Sequence, residues 1–194
     1  MVHDRGMDST IAPGFLVAAP QLRDPNFERT VVFMIEHADD EGSLGLVINR
    51  PAEVDLESVL GELEVEAGPD SGGFEHPPIL FGGPVSPERG WILHTPDWRG
   101  RDTKDVGDGV CVTASVDILE AISSGLGPSR YRFCLGYSGW GPHQLVGEIK
   151  TGSWINVPFS ADLIFDVPLD DCWDMALERL GIDPQALAHT MGDA

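Results

Sequence analysis

The run Gly136-Tyr137-Ser138-Gly139-Trp140-Gly141-Pro142 carries the residue types best suited to chemistry in this chain: glycines that free the backbone, one hydroxyl and a closing proline. It reads as the end of a strand that turns on its glycines and enters a helix with Pro142 in the first turn. Unpaired N–H groups and the positive end of the helix dipole at such a turn would hold a carboxylate or a phosphate. A tight structural connection would need the same residues. Three named motifs fail here. A phosphate-binding P-loop needs Gly-Lys-Ser/Thr, but Gly141 is followed by Pro142 and His143. A dinucleotide fingerprint needs glycine where Gln144 stands. A nucleophile elbow, which would make Ser138 attack, has Trp140 in its final glycine position, and the acid-then-histidine order that should follow is met only by His189. A hydrolase or transferase using Ser138, with His94 or His143 as base, stands as an alternative.

Two further segments could meet this one. Asn49-Arg50-Pro51 follows an apolar run, and Arg50 can grip an anion through two parallel hydrogen bonds or tie down a neighbouring loop. In Phe81-Gly82-Gly83-Pro84 the paired glycines permit a turn or the close approach of a ligand. The expected ligand-binding set is therefore Asn49, Arg50, Gly82, Gly83, His94, Ser138, Gly139, Trp140 and Gly141. The six histidines include no His-Glu-x-x-His and no pair three or four apart, so no metal is expected, nor any cofactor. His94 would pair with Asp97 or serve as a satisfied structural histidine. Cys111, Cys134 and Cys172 are odd in number and widely spaced, which suits small buried hydrophobes in a reducing compartment.

Charge narrows the function further. The chain has 12 Lys and Arg against 32 Asp and Glu, a net charge of -20, so it cannot neutralise many phosphates and direct nucleic-acid binding is disfavoured. The one basic patch, Arg99, Arg101 and Lys104, is interleaved with Asp97, Asp102 and Asp105 and reads as a solvated loop. With 42% hydrophobic residues and a mean hydropathy of -0.06, a soluble globular protein is expected. No apolar run spans a bilayer, and Met1 to Ala12 lacks the apolar centre of a secretory signal, so a cytoplasmic location is expected, with Met7 a second candidate start.

The elements that must position these residues follow from periodicity. Strands are expected at Gly14–Ala19, Thr30–His37 and Ser43–Asn49, the last two as a hairpin, and the uniformly apolar Val31–Ile35 should be covered on both faces. Val54–Leu63 has helical spacing, while the acidic Glu64–Pro78 suits a solvated loop. Short strands follow at Ile79–Phe81, Trp91–His94 and Gly109–Thr113, then a helix capped by Ser115 and closed by Gly125. Ser129–Leu135 alternates as a half-buried strand, with Tyr131, Phe133 and Leu135 on one face and Arg130, Arg132 and Cys134 on the other. Helices are expected over Pro142–Lys150, Ser160–Phe165 and Asp171–Leu180, with a last one capped by Asp183-Pro184. Strands first and helices in the C-terminal third make an α+β fold: an arm over residues 1–13, then one domain over 14–194.

Several words in order resemble the AlgH/YqgE family of bacterial proteins, from about Gly14 to Leu187. They are Gly14-Phe15-Leu16-Val17-Ala18-Ala19-Pro20, Asp24-Pro25-Asn26-Phe27, Glu36-His37, Gly45-Leu46-Val47-Ile48-Asn49-Arg50-Pro51, Phe81-Gly82-Gly83-Pro84-Val85, Leu93-His94 and Gly136-Tyr137-Ser138-Gly139-Trp140. The resemblance implies a sheeted, partly barrel-like β core flanked by helices. It implies no reaction, and the family's label of transcriptional regulator reads as a genetic description. Many relatives carry cysteine before the Glu-His pair, where this chain has Ile35, so a thiol role at that position does not carry over. The expected function is a non-enzymatic regulatory protein acting through a protein partner or a small anionic ligand, with a homodimer as one form.

Overall fold

The computed structural model describes residues 11–66, 68 and 75–186 of the 194-residue chain. Most of the expected N-terminal arm, seven residues of the acidic loop (67 and 69–74), and His189 lie outside them. Asp183 accepts from the Gln185 backbone N–H, as a cap would, residues 184–186 are helical, and residues 187–194 lie outside the described ones.

Among the described residues nine strands form one sheet: β1 Gly14–Ala18, β2 Val31–Ala38, β3 Gly42–Val47, β4 Leu80–Phe81, β5 Val85–His94, β6 Lys104–Gly107, β7 Val110–Thr113, β8 Tyr131–Trp140 and β9 Trp154–Pro158. Their order is β6-β7-β5-β8-β3-β2-β1-β9, with β4 added beside β8, and the sheet curls into a half-barrel. All pairings are antiparallel except β4 with β8. The helices are α1 Leu56–Glu62, α2 Asp117–Ser123, α3 Gln144–Lys150, α4 Ala161–Phe165 and α5 Cys172–Glu178.

The period of two sorts each strand's residues into separate cores. Phe15, Val17, Val31, Phe33, Leu46, Leu93 and Cys134 point to one face, where α4 and α5 cover them with Leu163, Ile164, Trp173 and Leu177. Leu16, Val32, Met34 and Val47 point the other way, under Leu145 of α3. At the far end of that same side, Ile92 and Phe133 meet Leu56 and Val59 of α1 and Ile118 and Leu119 of α2. Burial of Val31 through Met34 on both faces agrees with their uniformly apolar run.

Several expectations need correction. Gly136 to Trp140 is not a turn but the second half of β8, and α3 begins at Gln144 after His143, which takes a left-handed conformation with φ 61°. The strand at 129–135 is not half-buried, because Cys134 and Phe133 are both enclosed, on opposite faces. Lys104 belongs to edge strand β6 rather than a loop, and charged residues on an edge discourage further pairing. Strand β9, unforeseen between helices, pairs with β1 along its whole length. Ser115 does not cap α2; its hydroxyl bonds Asp102 and Asp117. Among the described residues, no helix is long and apolar enough to cross a membrane.

Candidate functional site

The nine expected ligand residues do not form one pocket. Asn49 and Arg50 leave β3 and knit the loop before β2. Asn49 accepts from the Val31 N–H at 2.8 Å and donates to the Arg29 carbonyl at 2.9 Å. The Arg50 guanidinium donates to the carbonyls of Pro25, Asn26 and Glu28 at 3.1, 2.5 and 2.9 Å. Three of its N–H groups thus go to backbone carbonyls.

Gly82, Gly83 and Ser138 do meet, but as a crossing of chains. The Gly82 carbonyl accepts from the Val47 N–H at 2.8 Å and from the Ser138 hydroxyl at 3.1 Å, and the Gly82 N–H donates to Leu135. Ser138 is fully buried and gives its proton to that carbonyl, so it is not arranged as a nucleophile beside a base. Trp140 is buried with its indole N–H on Glu148, which also accepts from Trp154, and the Gly141 N–H donates to the Gln144 side chain. An added Cβ would strike backbone at Gly82 and Gly83, so glycine is required there for the chains to touch, with no ligand involved.

His94 is fully buried at the end of β5. Its Nδ1 lies 2.8 Å from the Thr95 carbonyl and therefore donates, leaving Nε2 to accept from the Thr113 hydroxyl at 2.9 Å. Of the two roles expected, His94 takes that of a satisfied structural histidine, and Asp97 instead accepts from Thr95 and from the Ser129 N–H. Burial holds the His94 pKa below its ordinary 6.5. Below that pH the unfolded chain takes up a proton that the folded ring refuses, so stability is lost as pH falls from 6.5 towards the folded value. Urea unfolding of wild type and His94→Gln at about pH 7.5 and about pH 5.5 should show the wild-type advantage shrinking at the lower pH. An advantage that is constant or grows would mean the folded ring accepts the proton.

The fold also gathers groups that sequence spacing kept apart. Asp39, Asp40 and His143 bring their ligand atoms within 4.8 Å of one another, all exposed and paired among themselves. Beside them a wide cleft of about 610 Å³ brings Glu36 and His37 against Tyr137, Gly139 and Trp140.

A different cavity, of about 660 Å³, opens at the start of β8. Strand β4 pairs with β8 only from Leu80 opposite Cys134, and Pro77 and Pro78, which carry no N–H, stand where the ladder would extend. The space they leave is walled by Arg130, Tyr131 and Arg132, by Pro128 and Ile122 from the α2 side, and by Phe165 at the end of α4. The half-buried Arg132 gives Nε–H to the Ile164 carbonyl at 3.0 Å and one Nη2–H to the Phe165 carbonyl at 3.2 Å. Among the described residues no carboxylate lies within 4.0 Å of it. Arg130 is paired with Asp166 and stands over the Phe165 ring at 5.3 Å. Burial, helped by the charge of Arg130, pulls the Arg132 pKa below the usual guanidinium range. The Tyr131 hydroxyl lies 2.7 Å from His76 Nδ1, and burial pushes its pKa up to about 12, so it stays protonated at neutral pH. An arginine on the strand face it shares with an enclosed cysteine was the sequence signal for this site. Alternation placed it there without saying what it would meet.

Residues 15–185 match a family model described as AlgH-like. A UPF0301 protein of Anaeromyxobacter dehalogenans is 43% identical over 178 residues, 90% of each chain. Another from Nitrosococcus oceani is 41% identical over 180 residues, covering 93% of this chain and 95% of that one. The solution structure of the AlgH protein from Pseudomonas aeruginosa is similar with a TM-score of 0.77 at 34% identity, over 95% of this chain and 96% of that one. A crystal structure from Corynebacterium diphtheriae shares the fold at 23% identity, with a TM-score of 0.67 over 87% and 86% of the two chains.

Proposed function

The chain belongs to the AlgH-like family, and from that premise we propose that it is a non-catalytic regulatory module that binds a small anionic ligand in the cavity at the start of β8. The observation that carries this reading is Arg132, a half-buried guanidinium that has no carboxylate within 4.0 Å among the described residues. A buried charge is costly unless paired, and an anion entering from solvent would supply the missing partner. Arg132 also ties β8 to the end of α4, so an anion on the same guanidinium would brace that contact and offer a protein partner a surface that reports occupancy. The role of transcriptional regulator would then be indirect, because a net charge of -20 opposes contact with DNA. We place the protein in the cytoplasm, where its three buried thiols stay reduced.

A thermal-shift screen with small carboxylates and phosphates tests this, since a ligand that prefers the native state raises Tm. At least one anion should stabilise wild type and fail to stabilise Arg132→Gln. Arg130→Gln should weaken the effect less, because Arg130 is exposed and already paired. An anion that stabilises wild type and Arg132→Gln equally would place the site elsewhere, and a screen in which none acts would remove the reading.

A further inference from the structure

We infer that the cavity at the start of β8 takes a monocarboxylate carrying an apolar body, an aryl or medium-chain alkyl acid, an inference that rests on the anion-binding reading above. Three observations select this class. The first is the free edge of Arg132. A guanidinium has five N–H donors in a rigid fork. The Nε–Nη2 side is used by the carbonyls of Ile164 and Phe165. The Nη1–Nη2 end has no hydrogen-bond partner among the described residues, and its two parallel N–H groups match the two oxygens of a planar carboxylate.

The second is charge. Arg130 is neutralised by Asp166, and Glu75 stands on the same wall, so Arg132 offers an anion at most one positive charge. A monoanion meets it. A phosphomonoester dianion would leave an excess negative charge beside Glu75, at the cavity wall, in a protein of net charge -20. The third is the shape and chemistry of the remaining space. A carboxylate displaces about two waters, ~60 Å³, whereas the cavity holds about 660 Å³. Pro77, Pro78, Pro128, Ile122 and Phe165 wall it, with the Tyr131 ring. The same wall also carries Glu75, His76, Ser129 and Arg130, so the lining is mixed, and an apolar body would lie along its proline, Ile122, Phe165 and Tyr131 side.

Isothermal titration of wild type at fixed ionic strength with acetate, hexanoate, phenylacetate, phenyl phosphate and inorganic phosphate separates these claims. Phenylacetate and hexanoate should bind at least about tenfold tighter than acetate, and phenylacetate at least about tenfold tighter than phenyl phosphate. Arg132→Lys, which keeps the charge and loses the fork, should weaken phenylacetate by about tenfold or more. Circular dichroism checks that this variant is folded, and the wild-type series stands without it. Phenyl phosphate binding as well as phenylacetate would overturn the carboxylate assignment, and acetate binding as well as phenylacetate would overturn the apolar body. Undiminished binding to folded Arg132→Lys would overturn the fork. Each of these leaves an anion site in place. If none of the five probes binds, the anion-binding reading itself falls.

Discussion

Gly83→Ala is expected to destabilise the protein by at least about 4 kcal/mol, which places it among the exceptional single substitutions. A Cβ at Gly83 would stand 2.2 Å from the carbonyl carbon and oxygen of Tyr137 and 2.4 Å from the Ser138 nitrogen, at φ +154°, and all three contacts are backbone. Neither side can yield cheaply. Ser138 is held in the ladder opposite Gly45, and Gly82 is bonded to Val47, Leu135 and Ser138. Gly82→Ala meets the Gly136 carbonyl oxygen at 2.3 Å and should behave alike. Gly61→Ala and Gly147→Ala are the controls: both lie in helices with nothing within 4 Å of the added carbon, and should be neutral or stabilising by up to about 1 kcal/mol. In thermal unfolding, Gly83→Ala should lower Tm by roughly 10 °C or more, or prevent folding. A fall under about 5 °C would show that the β4–β8 crossing relaxes around the methyl group.

Arg50→Ala should cost about 2–3 kcal/mol and leave anion binding untouched. Arg50 makes three charge-assisted bonds to the carbonyls of Pro25, Asn26 and Glu28 and so closes the loop that leads into β2. Such bonds contribute about 1.5–3 kcal/mol each when fully buried. Two of these are exposed, and water can replace part of them, so the sum falls well below three full bonds. Tm should fall by about 4–10 °C, while titration with phenylacetate gives the wild-type affinity. The opposite pattern, unchanged stability with lost binding, would restore Arg50 as the ligand's partner and move the site to the end of β3.

These two positions mark where the sequence was legible. Arg50 next to a strand end offered two roles, an anion grip or a loop tie, and no pattern in the residues decides between a carbonyl and a ligand oxygen. Glycines at 82, 83, 136 and 139 announced close approach, but they equally suit a turn, a phosphate cradle or a crossing of strands. Strands β1 to β3 were readable because short apolar stretches bounded by turn residues have few other solutions, and Val31–Ile35 is apolar throughout. Strand β9 was not, since Trp154-Ile155-Asn156-Val157-Pro158 is short and becomes a strand by pairing with β1, well over a hundred residues earlier. Strand β6 was hidden by the charges that suit it to an edge.

By itself the sequence determined the family, the α+β composition, the order of most elements and a net charge of -20, because these follow from its motifs, local periodicity, turn chemistry and summed charge. Only the tertiary structure decided which polar groups are spent and which are left open. Ser138, conspicuous in sequence, gives its proton to a carbonyl, and Arg50 ties three loop carbonyls, while Arg132, one alternating residue in a strand, uses its Nε–Nη2 side on α4 and lines a cavity. A side chain's remaining hydrogen-bond capacity depends on partners that strand order and helix placement bring from distant parts of the chain, and one-dimensional spacing does not encode that.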